Sequence, residues 1–230
     1  MGRPDLILLH GALGSSSQFL PMIPLLKEKY DIHTLDFEGH GSSPSKNRPF
    51  RPKHFASNVI EYMNGNAVKA ADIFGHSMGG HIGIFLARFS PERVKRVFTL
   101  GTKFVWTPEI AEKENAFLNP EKLLEKVPKY AMELQRRHIA LTFEEILEKI
   151  RELNMYLGEK PVLKSKDFKA IKRKVRIGVG DRDYLVTIDE SVGVYRLLQK
   201  GELQIFPNTP HPLEQVSLST LTHAMMDFFK

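Results

Sequence analysis

The chain of 230 residues is long enough for one large α/β domain, carries a formal charge of +6, and has the apolar and charged content of a globular protein. It contains no cysteine, which excludes a disulfide framework, thiolate metal sites and a cysteine nucleophile and makes the cytoplasm the expected compartment. No window approaches the roughly 20 apolar residues of a membrane span, so we expect no such segment.

Six short apolar runs are bounded by turn residues and are typical of strands buried on both faces of a parallel sheet. They are residues 5–9, 32–35, 71–74, 94–100, 175–179 and 203–206. Helix signals lie between them, at residues 15–30, 52–63, 78–89, 188–199 and 213–229. This alternation predicts an α/β fold with a mostly parallel central sheet of about six strands and helices on both faces.

Residues 107–157 interrupt the alternation, because they offer amphipathic helix patterns and no strand. Their apolar residues form two helical faces, which are Leu123, Val127, Tyr130 and Leu134, and then Phe143, Ile146, Leu147, Ile150 and Leu157. We therefore predict a helical cap, residues 104–166, inserted into a core formed by residues 1–103 and 167–230.

The excess positive charge lies in residues 121–176, which hold 15 Lys and Arg against nine Asp and Glu. Acidic residues are interleaved with the basic ones, whereas a nucleic-acid site would show clustered basic residues with aromatics for stacking. We expect a solvated helical surface and no nucleic-acid partner, with a site for an anionic partner as the alternative.

Gly75-His76-Ser77-Met78-Gly79 is the strongest chemical signal. It follows a predicted strand and precedes a predicted helix, which is the setting of a nucleophile elbow. The tight turn needs small flanking residues, which the glycines supply, and it exposes the serine hydroxyl above the sheet. Such a pattern arises by chance in roughly one of twelve chains of this length, so a glycine-rich turn is the alternative. The strand–turn–helix placement favours Ser77 as nucleophile.

His10-Gly11-Ala12-Leu13-Gly14 comes directly after the first predicted strand. A nucleophile that attacks a carbonyl generates an oxyanion, which preorganised N–H donors stabilise. In folds with a nucleophile elbow, these donors are the N–H of the residue after the nucleophile and an N–H of a loop after an early strand. We therefore expect the backbone N–H groups of Ala12 and Met78 to form an oxyanion hole, a role compatible with a plain glycine-rich turn.

Two further polar groups follow strand ends, where sites in open α/β sheets form. Gly180-Asp181-Arg182-Asp183 follows the predicted strand 175–179, and Pro207-Asn208-Thr209-Pro210-His211 follows the strand 203–206. A histidine can take the proton of the serine, and a carboxylate can hold the tautomer of that histidine. The order serine, acid, histidine along the chain fits this arrangement.

These motifs together resemble the α/β-hydrolase superfamily, and within it the small cap-bearing esterases and C–C hydrolases. The resemblance covers nearly the whole chain and includes Asp36-Phe37-Glu38-Gly39-His40-Gly41-Ser42-Ser43 and His211-Pro212. It implies Ser77 as nucleophile, His211 as general base and Asp183, three residues after the strand-ending Gly180, as the orienting acid rather than Asp181. It also implies that Asp36 supports loops. A haloalkane dehalogenase is excluded by the same resemblance, because such an enzyme needs an aspartate nucleophile and this chain has Ser77.

The chain departs from the family pattern in two places. Nine residues precede His10, so we expect the sheet to lack the two strands with which such families usually begin. Some relatives carry their acid after the strand that matches 94–100, but Gly101-Thr102-Lys103 offers none here, which strengthens Asp183.

Other residues carry weaker expectations. Lys103 is a candidate contact for a substrate carboxylate, with solvent exposure as the alternative. The candidate pocket lining from the cap is Phe104, Trp106, Phe117, Tyr130 and Met155, with packing of the cap onto the core as the alternative.

The remaining histidines receive a plain interpretation. His40, His76 and His81 are expected to be structural or solvent-exposed, and His223 is expected on the surface of the last helix. The nine histidines show no metal-ligand spacing, so no metal and no cofactor is predicted.

The sequence thus predicts a serine hydrolase that cleaves a carboxylic ester of a small or medium acyl group through an acyl-enzyme. The same residues could serve a C–C bond hydrolase, a lyase or an acyltransferase, because fold and site residues do not identify the substrate. A non-hydrolytic ligand receptor on the same fold is the alternative from another class.

Overall fold

The computed structural model describes residues 2–230. Its centre is a sheet of six parallel strands in the spatial order β2-β1-β3-β4-β5-β6. The strands are β1 (Asp5–Leu9), β2 (Asp31–Thr34), β3 (Ala71–His76), β4 (Val94–Leu100), β5 (Lys174–Gly180) and β6 (Gly201–Phe206). Because all six run the same way, their carboxyl ends share one edge of the sheet, and the predicted fold class is confirmed.

Strand β3 is longer than the apolar run that predicted it. The apolar pattern stopped at Phe74, whereas Gly75 and His76 continue the ladder opposite Thr99 and Leu100 of β4. Pairing with the backbone of a neighbour does not require an apolar side chain, so the sequence pattern missed these two residues. The strand therefore runs up to the residue before Ser77.

Among residues 2–230 the α-helices all lie between or after the strands. They are α1 (Ile23–Leu26), α2 (Pro52–Gly65), α3 (Met78–Phe89), α4 (Pro108–Asn115), α5 (Pro120–Lys126), α6 (Pro128–Arg137), α7 (Phe143–Glu159), α8 (Ser165–Ala170), α9 (Ile188–Tyr195) and α10 (Leu218–Phe228).

The predicted single helix over residues 15–30 is wrong. The chain forms a short 3₁₀ turn, Ser16–Phe19, and then the single turn α1. Pro24 lies in the first turn of α1, where a missing N–H costs little, but Pro21 cannot continue a helix from the preceding turn. The last predicted helix is likewise split, because a 3₁₀ turn, Leu213–Gln215, precedes α10, whose start is capped by the Ser217 hydroxyl.

The central strands β1, β3, β4 and β5 are largely buried on both faces, as their near-continuous apolar runs predict, whereas the edge strands β2 and β6 are only partly buried. Alternate residues of β1 go to opposite sides: Ile7 and Leu9 join one apolar cluster, and Leu6 and Leu8 join the other. The first cluster packs the sheet against the side of α2 and α3, and the second against α1 and α10. Both sets of strand residues are fully buried.

Residues 108–159 between β4 and β5 form four helices, α4 to α7, and are called the helical segment below. The face predicted from Phe143 to Leu157 is buried along α7. The other predicted face is broken, because Pro128 starts a new helix: Leu134 is buried, but Val127 and Tyr130 are 44% and 42% exposed. The proposed domain boundary at residue 167 falls inside α8, whose Asp167 pairs with Arg88 of α3.

Within residues 2–230, none of the helices combines the length and the apolar character that a membrane crossing requires.

Candidate active site

Ser77 occupies a sharp turn between β3 and α3. Its backbone has φ 51° and ψ −118°, a left-handed conformation that costs a non-glycine residue on the order of 1–3 kcal/mol. Two hydrogen bonds hold it there: the Ser77 N–H donates to the Leu100 carbonyl at 2.8 Å, and the Thr102 hydroxyl donates to the Ser77 carbonyl at 3.0 Å. A strained serine fixed from both sides is the local signature of an elbow.

The glycines of the turn are required by close packing. A Cβ on Gly75 would lie 2.4 Å from the backbone of Gly79 and Gly80, and a Cβ on Gly79 would lie 2.2 Å from the carbonyl oxygen of Leu9. Neither backbone can move away, because both belong to the sheet or to the first turn of α3. The sequence pattern therefore has a steric cause in the structure.

Three side chains from three strand ends form a chain of hydrogen bonds. His211, in the loop after β6, has its Nε2 atom 3.2 Å from the Ser77 hydroxyl and its Nδ1 atom 2.8 Å from Asp183 Oδ2. Asp183 follows β5, and its other oxygen accepts from the N–H groups of Leu185 and Val186, each at 2.9 Å. The carboxylate is thus oriented by backbone before it orients the imidazole.

The environment of Asp183 favours its ionised form. Burial by itself would raise the pKa of this carboxyl, but the hydrogen bond and the charge of His211, together with the Val186 and Leu185 N–H groups, hold the pKa below its usual range. The side chain is 2% exposed. Asp183 is therefore a buried anion that faces one nitrogen of His211.

Asp181 has a different position. Its side chain accepts from the Thr209 N–H at 3.1 Å and shows no contact with His211. Backbone hydrogen bonds from Asn208 and Thr209 lower the pKa of this exposed carboxyl. Asp181 thus holds the loop that carries His211, and Asp183 is the acid in contact with the imidazole; its role as the orienting acid stays a prediction.

Gly101 supports the pair from the end of β4. It adopts φ +58°, and a Cβ there would lie 3.0 Å from Asp183 Oδ2 and 3.3 Å from His211 Nδ1. Only glycine allows this backbone to approach the carboxylate and the ring so closely. In the sequence Gly101 is only the first residue after a strand that is followed by no acid, so no pattern indicated this role.

The loop of residues 10–14 lies against the elbow. A Cβ on Gly11 would come within 3.1 Å of the Ser77 Cβ, and residues 11–14 form a turn in which the Gly14 N–H donates to the Gly11 carbonyl at 3.1 Å. Within residues 2–230, no acceptor is found for the N–H of Ala12 or of Met78. Both are the donors that the sequence predicted for an oxyanion, and that role stays a prediction.

His10 also holds the loop of residues 10–14 in place. Its Nδ1 atom lies 2.8 Å from the Gly11 carbonyl oxygen, and its Nε2 atom accepts from the Phe37 N–H at 3.1 Å. Burial lowers the pKa of His10 to about 4, so the ring is uncharged near neutrality and its proton sits on Nδ1. The Gly11 carbonyl therefore accepts two hydrogen bonds, one from His10 Nδ1–H and one from the Gly14 N–H.

His76 positions His211, a role that sequence analysis missed. Its Nε2 atom lies 2.9 Å from the His211 carbonyl oxygen, and the two rings are 5.2 Å apart. Burial lowers the pKa of His76 to about 4, so it acts as a neutral donor near pH 7. Its place next to Ser77 in the elbow was the only available signal, and it did not reveal which loop His76 would hold.

The other histidines have the structural or surface positions expected from the sequence, and Asp36 supports loops as expected. His40 and His81 are buried, and His223 is exposed on α10. Asp36 accepts from the N–H groups of Ser16 and Ser42, at 2.7 and 2.9 Å, and so ties two loops together. No group of His, Asp and Glu side chains in the described part of the chain is arranged to hold a metal ion.

Lys103 is not free to bind a substrate carboxylate. Its ammonium donates to the Leu185 carbonyl at 2.5 Å and lies 3.3 Å from Glu114 Oε1, and its side chain is 14% exposed. Both expectations from sequence, a ligand contact and solvent exposure, are therefore corrected. The charge is satisfied by a helix of the helical segment that no sequence pattern placed beside it.

The five predicted lining residues from the cap go to different places. Phe104 is 3% exposed and packs on His81 and Phe168, so it belongs to the core. Phe117 is 56% exposed, Trp106 is partly buried against the core, and Met155 lines a groove of about 930 Å³ that contains none of Ser77, Asp183 and His211. Phe104 and Met155 therefore correct the prediction, whereas a lining role for the exposed Phe117 stays a prediction.

Tyr130 alone of the five has neighbours at the site. It is seven residues before Arg137, hence on the same face of α6, and Arg137 contacts the Leu13 carbonyl of the 10–14 loop. Partial burial raises the pKa of Tyr130, as do Tyr184 and Glu214, whereas Arg137 lowers it. The ring of Tyr184 lies 6.3 Å from that of His211, so Tyr184 lies beside the histidine.

The arrangement is competent for nucleophilic chemistry. When the Nδ1–H group of His211 donates a hydrogen bond to Asp183, the uncharged ring keeps Nε2 as an acceptor for the proton of the Ser77 hydroxyl. Unpaired N–H groups beside the serine can stabilise a developing anion.

Comparisons with known proteins agree with the fold. A model of the alpha/beta hydrolase fold family matches residues 4–153. The uncharacterized hydrolase YugF of Bacillus subtilis is 41% identical over 101 residues, which are 43% of this chain and 37% of that protein. The human serine hydrolase-like protein 2 is 29% identical over 159 residues, 68% of this chain and 50% of that protein.

The matched regions thus span half or less of the length of these two curated relatives. Among solved structures, the enol-lactonase from Burkholderia xenovorans LB400 superposes with a TM-score of 0.80 over 100% of this chain and 92% of that one, at 19% identity. That likeness concerns the fold.

Proposed function

Because the chain belongs to the alpha/beta hydrolase fold family, we propose that it is a serine hydrolase that cleaves a carboxylic ester of a small or medium acyl group. The observation that carries the proposal is the hydrogen-bonded chain from the Ser77 hydroxyl through His211 to Asp183. The serine type is also the one named in the human relative.

In the acylation step, Ser77 Oγ attacks the ester carbonyl carbon while His211 Nε2 takes the hydroxyl proton. The carbonyl oxygen becomes an oxyanion and accepts from the Ala12 and Met78 N–H groups, which are fixed in advance and need no reorganisation. The bond to the leaving alkoxide then breaks, and His211 gives its proton to that oxygen. The alcohol departs, and the acyl group remains on Ser77.

Deacylation repeats these steps with water. His211 takes one proton from the water as its oxygen attacks the acyl carbon, and the bond to Ser77 Oγ breaks as the proton returns to the serine. Asp183 keeps the imidazole in one orientation and stabilises its positive charge in both steps. The strained backbone of Ser77 holds the hydroxyl in place throughout.

The test combines labelling with turnover. A fluorophosphonate should label Ser77, and p-nitrophenyl esters should be hydrolysed repeatedly. Ser77→Ala should abolish labelling and lower kcat by about 10⁴-fold or more. Ser42→Ala, at an exposed serine, is the matched control and should behave as the parent protein does.

Three outcomes would contradict the proposal: label on Ser15 or Ser42, no label, or a single slow turnover in place of repeated ones. The last is the behaviour of a ligand receptor on the same fold. Analysis of the products from an ester, a diketone and an ester with an added alcohol acceptor separates hydrolysis from C–C cleavage and acyl transfer.

A further inference from the structure

We propose that Arg137 and His138, at the carboxyl end of α6, are positioning residues that set the direction of the Ala12 N–H and so make the helical segment part of the oxyanion site. The inference rests on the proposed function, in which the Ala12 N–H stabilises the oxyanion. It concerns two residues that no sequence motif singled out.

Both residues bind the same acceptor. The Leu13 carbonyl oxygen accepts hydrogen bonds from Arg137 Nη1 and from His138 Nε2, each at 3.0 Å. Leu13 has φ +58°, which is unfavourable for a branched side chain. Two donors on one carbonyl hold this residue in a backbone conformation that it would not adopt alone.

The constraint passes to Ala12 through two planar peptide groups. The peptide that carries the Leu13 carbonyl also carries the Gly14 N–H, and this N–H donates to the Gly11 carbonyl at 3.1 Å. The peptide that carries the Gly11 carbonyl also carries the Ala12 N–H. Because a trans peptide is planar and its C=O and N–H point in opposite directions, an anchored carbonyl determines where the N–H on the same plane points.

His138 is built to donate at one nitrogen only. Its Nδ1 atom accepts from the Gly41 N–H at 3.0 Å, so the ring proton sits on Nε2 and points to Leu13. Burial lowers the pKa of His138 to about 4, and the residue is 3% exposed, so the ring is uncharged near neutrality. His138 thereby joins the helical segment to the loops at Gly41 and Leu13.

Arg137 is held in place by two acids. It lies 2.5 Å from Glu133 of α6 and 3.1 Å from Glu214, and its side chain is 11% exposed. Glu214 belongs to the turn just after His211 and also accepts from Gln18 at 2.6 Å. Arg137 therefore connects the helical segment, the 10–14 loop and the His211 side of the site.

A consequence concerns movement of the helical segment. If α6 moves away from the sheet edge, the Leu13 carbonyl loses both donors, and the Ala12 N–H loses its fixed direction. Binding of substrate under the segment and completion of the oxyanion site would then be the same event. The loss should appear in kcat more than in KM, because the oxyanion exists in the transition state and not in the bound ester.

The experiment uses Arg137→Gln, His138→Asn and the double variant. Asparagine keeps an acceptor where Nδ1 meets Gly41 but does not reach Leu13. Because the two donors share one acceptor, each single variant should lower kcat by about 3–10-fold and the double variant by on the order of 10²-fold, with KM nearly unchanged. Binding of a boronic acid, which forms a tetrahedral adduct on Ser77, should weaken by the same factors.

Two matched variants complete the test. Arg136→Gln changes an exposed neighbour of Arg137 and should leave kcat at the parental value. His138→Gln reaches the Nε2 position with an N–H donor and should restore part of the kcat that His138→Asn loses. Titration of reactive Ser77 with a fluorophosphonate counts the folded sites, and kcat is expressed per site.

The outcomes separate the two proposals. Parental kcat per site in the double variant, or a higher KM with unchanged kcat, would overturn the positioning role while leaving a serine hydrolase in place. Failure of Ser77 to react in the parent protein would instead overturn the proposed function. If the double variant does not fold, Arg137→Gln decides, because it leaves the contact of His138 with Gly41 intact.

Discussion

The carboxyl edge of the sheet and the helical segment differ in how their functional side chains are held. At the edge, Ser77, Asp183 and His211 each lie in the turn or loop after a strand, and hydrogen bonds that involve backbone groups hold each of them. In the helical segment, Arg137 and His138 are bonded to the backbone of neighbouring loops, whereas many apolar side chains are exposed. Among the described residues, six of the thirteen exposed large apolar side chains lie in residues 117–139, so this stretch leaves much apolar surface open.

Under the proposed function, this difference assigns the chemistry to the sheet edge and the selection of the substrate to the helical segment. Groups that carry out the chemistry sit where the sheet dictates their position, whereas groups that would select a substrate sit where packing leaves choices. Arg137 and His138 cross between the two regions, because they lie in the helical segment and bind the 10–14 loop. Changes at the edge should therefore affect the rate strongly, and changes in the helical segment other than at Arg137 and His138 should affect substrate preference mildly.

The largest effect is expected at the acid. Asp183→Asn should lower kcat by about 10⁴-fold, because the amide no longer favours the tautomer that leaves Nε2 free to accept the serine proton. Asp181→Asn is the matched control and should be much milder, since Asp181 contacts the backbone of Thr209 and not His211. Kinetics on a p-nitrophenyl ester measure both. A dead Asp181→Asn beside a nearly normal Asp183→Asn would reverse the assignment.

A smaller loss is expected at Gly101. Gly101→Ala places a methyl group within 3.0 Å of Asp183 Oδ2 at a residue with φ +58°, so we expect kcat to fall about 10–100-fold and stability to fall by about 1 kcal/mol. Gly193→Ala, in α9 and with open space around it, should instead be neutral or stabilising by up to about 1 kcal/mol. Thermal unfolding with kinetics distinguishes them, and equal behaviour would remove the special role of Gly101.

The buried histidines predict a pH dependence of stability. The pKa values of His10, His76, His81 and His138 are each lowered to about 4, whereas an unfolded histidine titrates near 6.5. Between these values the unfolded chain binds more protons, so stability is full above about pH 6.5 and is lost as pH falls toward 4. At pH 5 each histidine should cost on the order of 1–2 kcal/mol.

His81→Leu tests one of them. Among residues 2–230 the buried Nε2 atom of His81 has no partner, and its Nδ1 atom makes a long contact of 3.4 Å with the Lys103 carbonyl. This change should therefore cost little at pH 7 and should make the fall of the melting temperature toward pH 4 shallower. His223→Gln, on the exposed face of α10, should leave that slope unchanged. An unchanged slope in His81→Leu would show that His81 is already protonated or exposed in the folded state.

The smallest effect is expected in the helical segment. Activity on p-nitrophenyl esters should rise from acetate toward butyrate or hexanoate and then fall, since each buried CH₂ contributes about 0.8 kcal/mol, or roughly fourfold, until the pocket ends. Tyr130→Ala should change the preference for hexanoate over acetate by a few-fold, and Phe117→Ala, at an open surface position, should not. A flat profile, or equal effects of both variants, would mean that α6 does not border the acyl group.

The sequence predicted the sheet edge well because that region obeys local rules. Strands β1 and β4 and helix α3 have the predicted bounds, and the elbow glycines have a steric cause that the motif already contained. The cap predicted at residues 104–166 was less predictable from the sequence. Pro128 divides one predicted face, and Phe104, Phe117 and Met155 lie in the core, at the surface and in a separate groove, respectively. Amphipathic periodicity indicates which face is apolar but not what that face will meet.

By itself, then, the sequence determined the parallel α/β fold and placed Ser77, Asp183 and His211 after strand ends, because strand periodicity and turn chemistry are read within a few residues. Only the tertiary structure decided that Lys103 is paired with Glu114, that His76 donates to the His211 carbonyl, and that Arg137 and His138 meet at Leu13. These contacts join residues from 11 to 135 positions apart in the chain, and their partners are often backbone carbonyls, which every residue carries. No pattern of side-chain types can mark such an acceptor in advance.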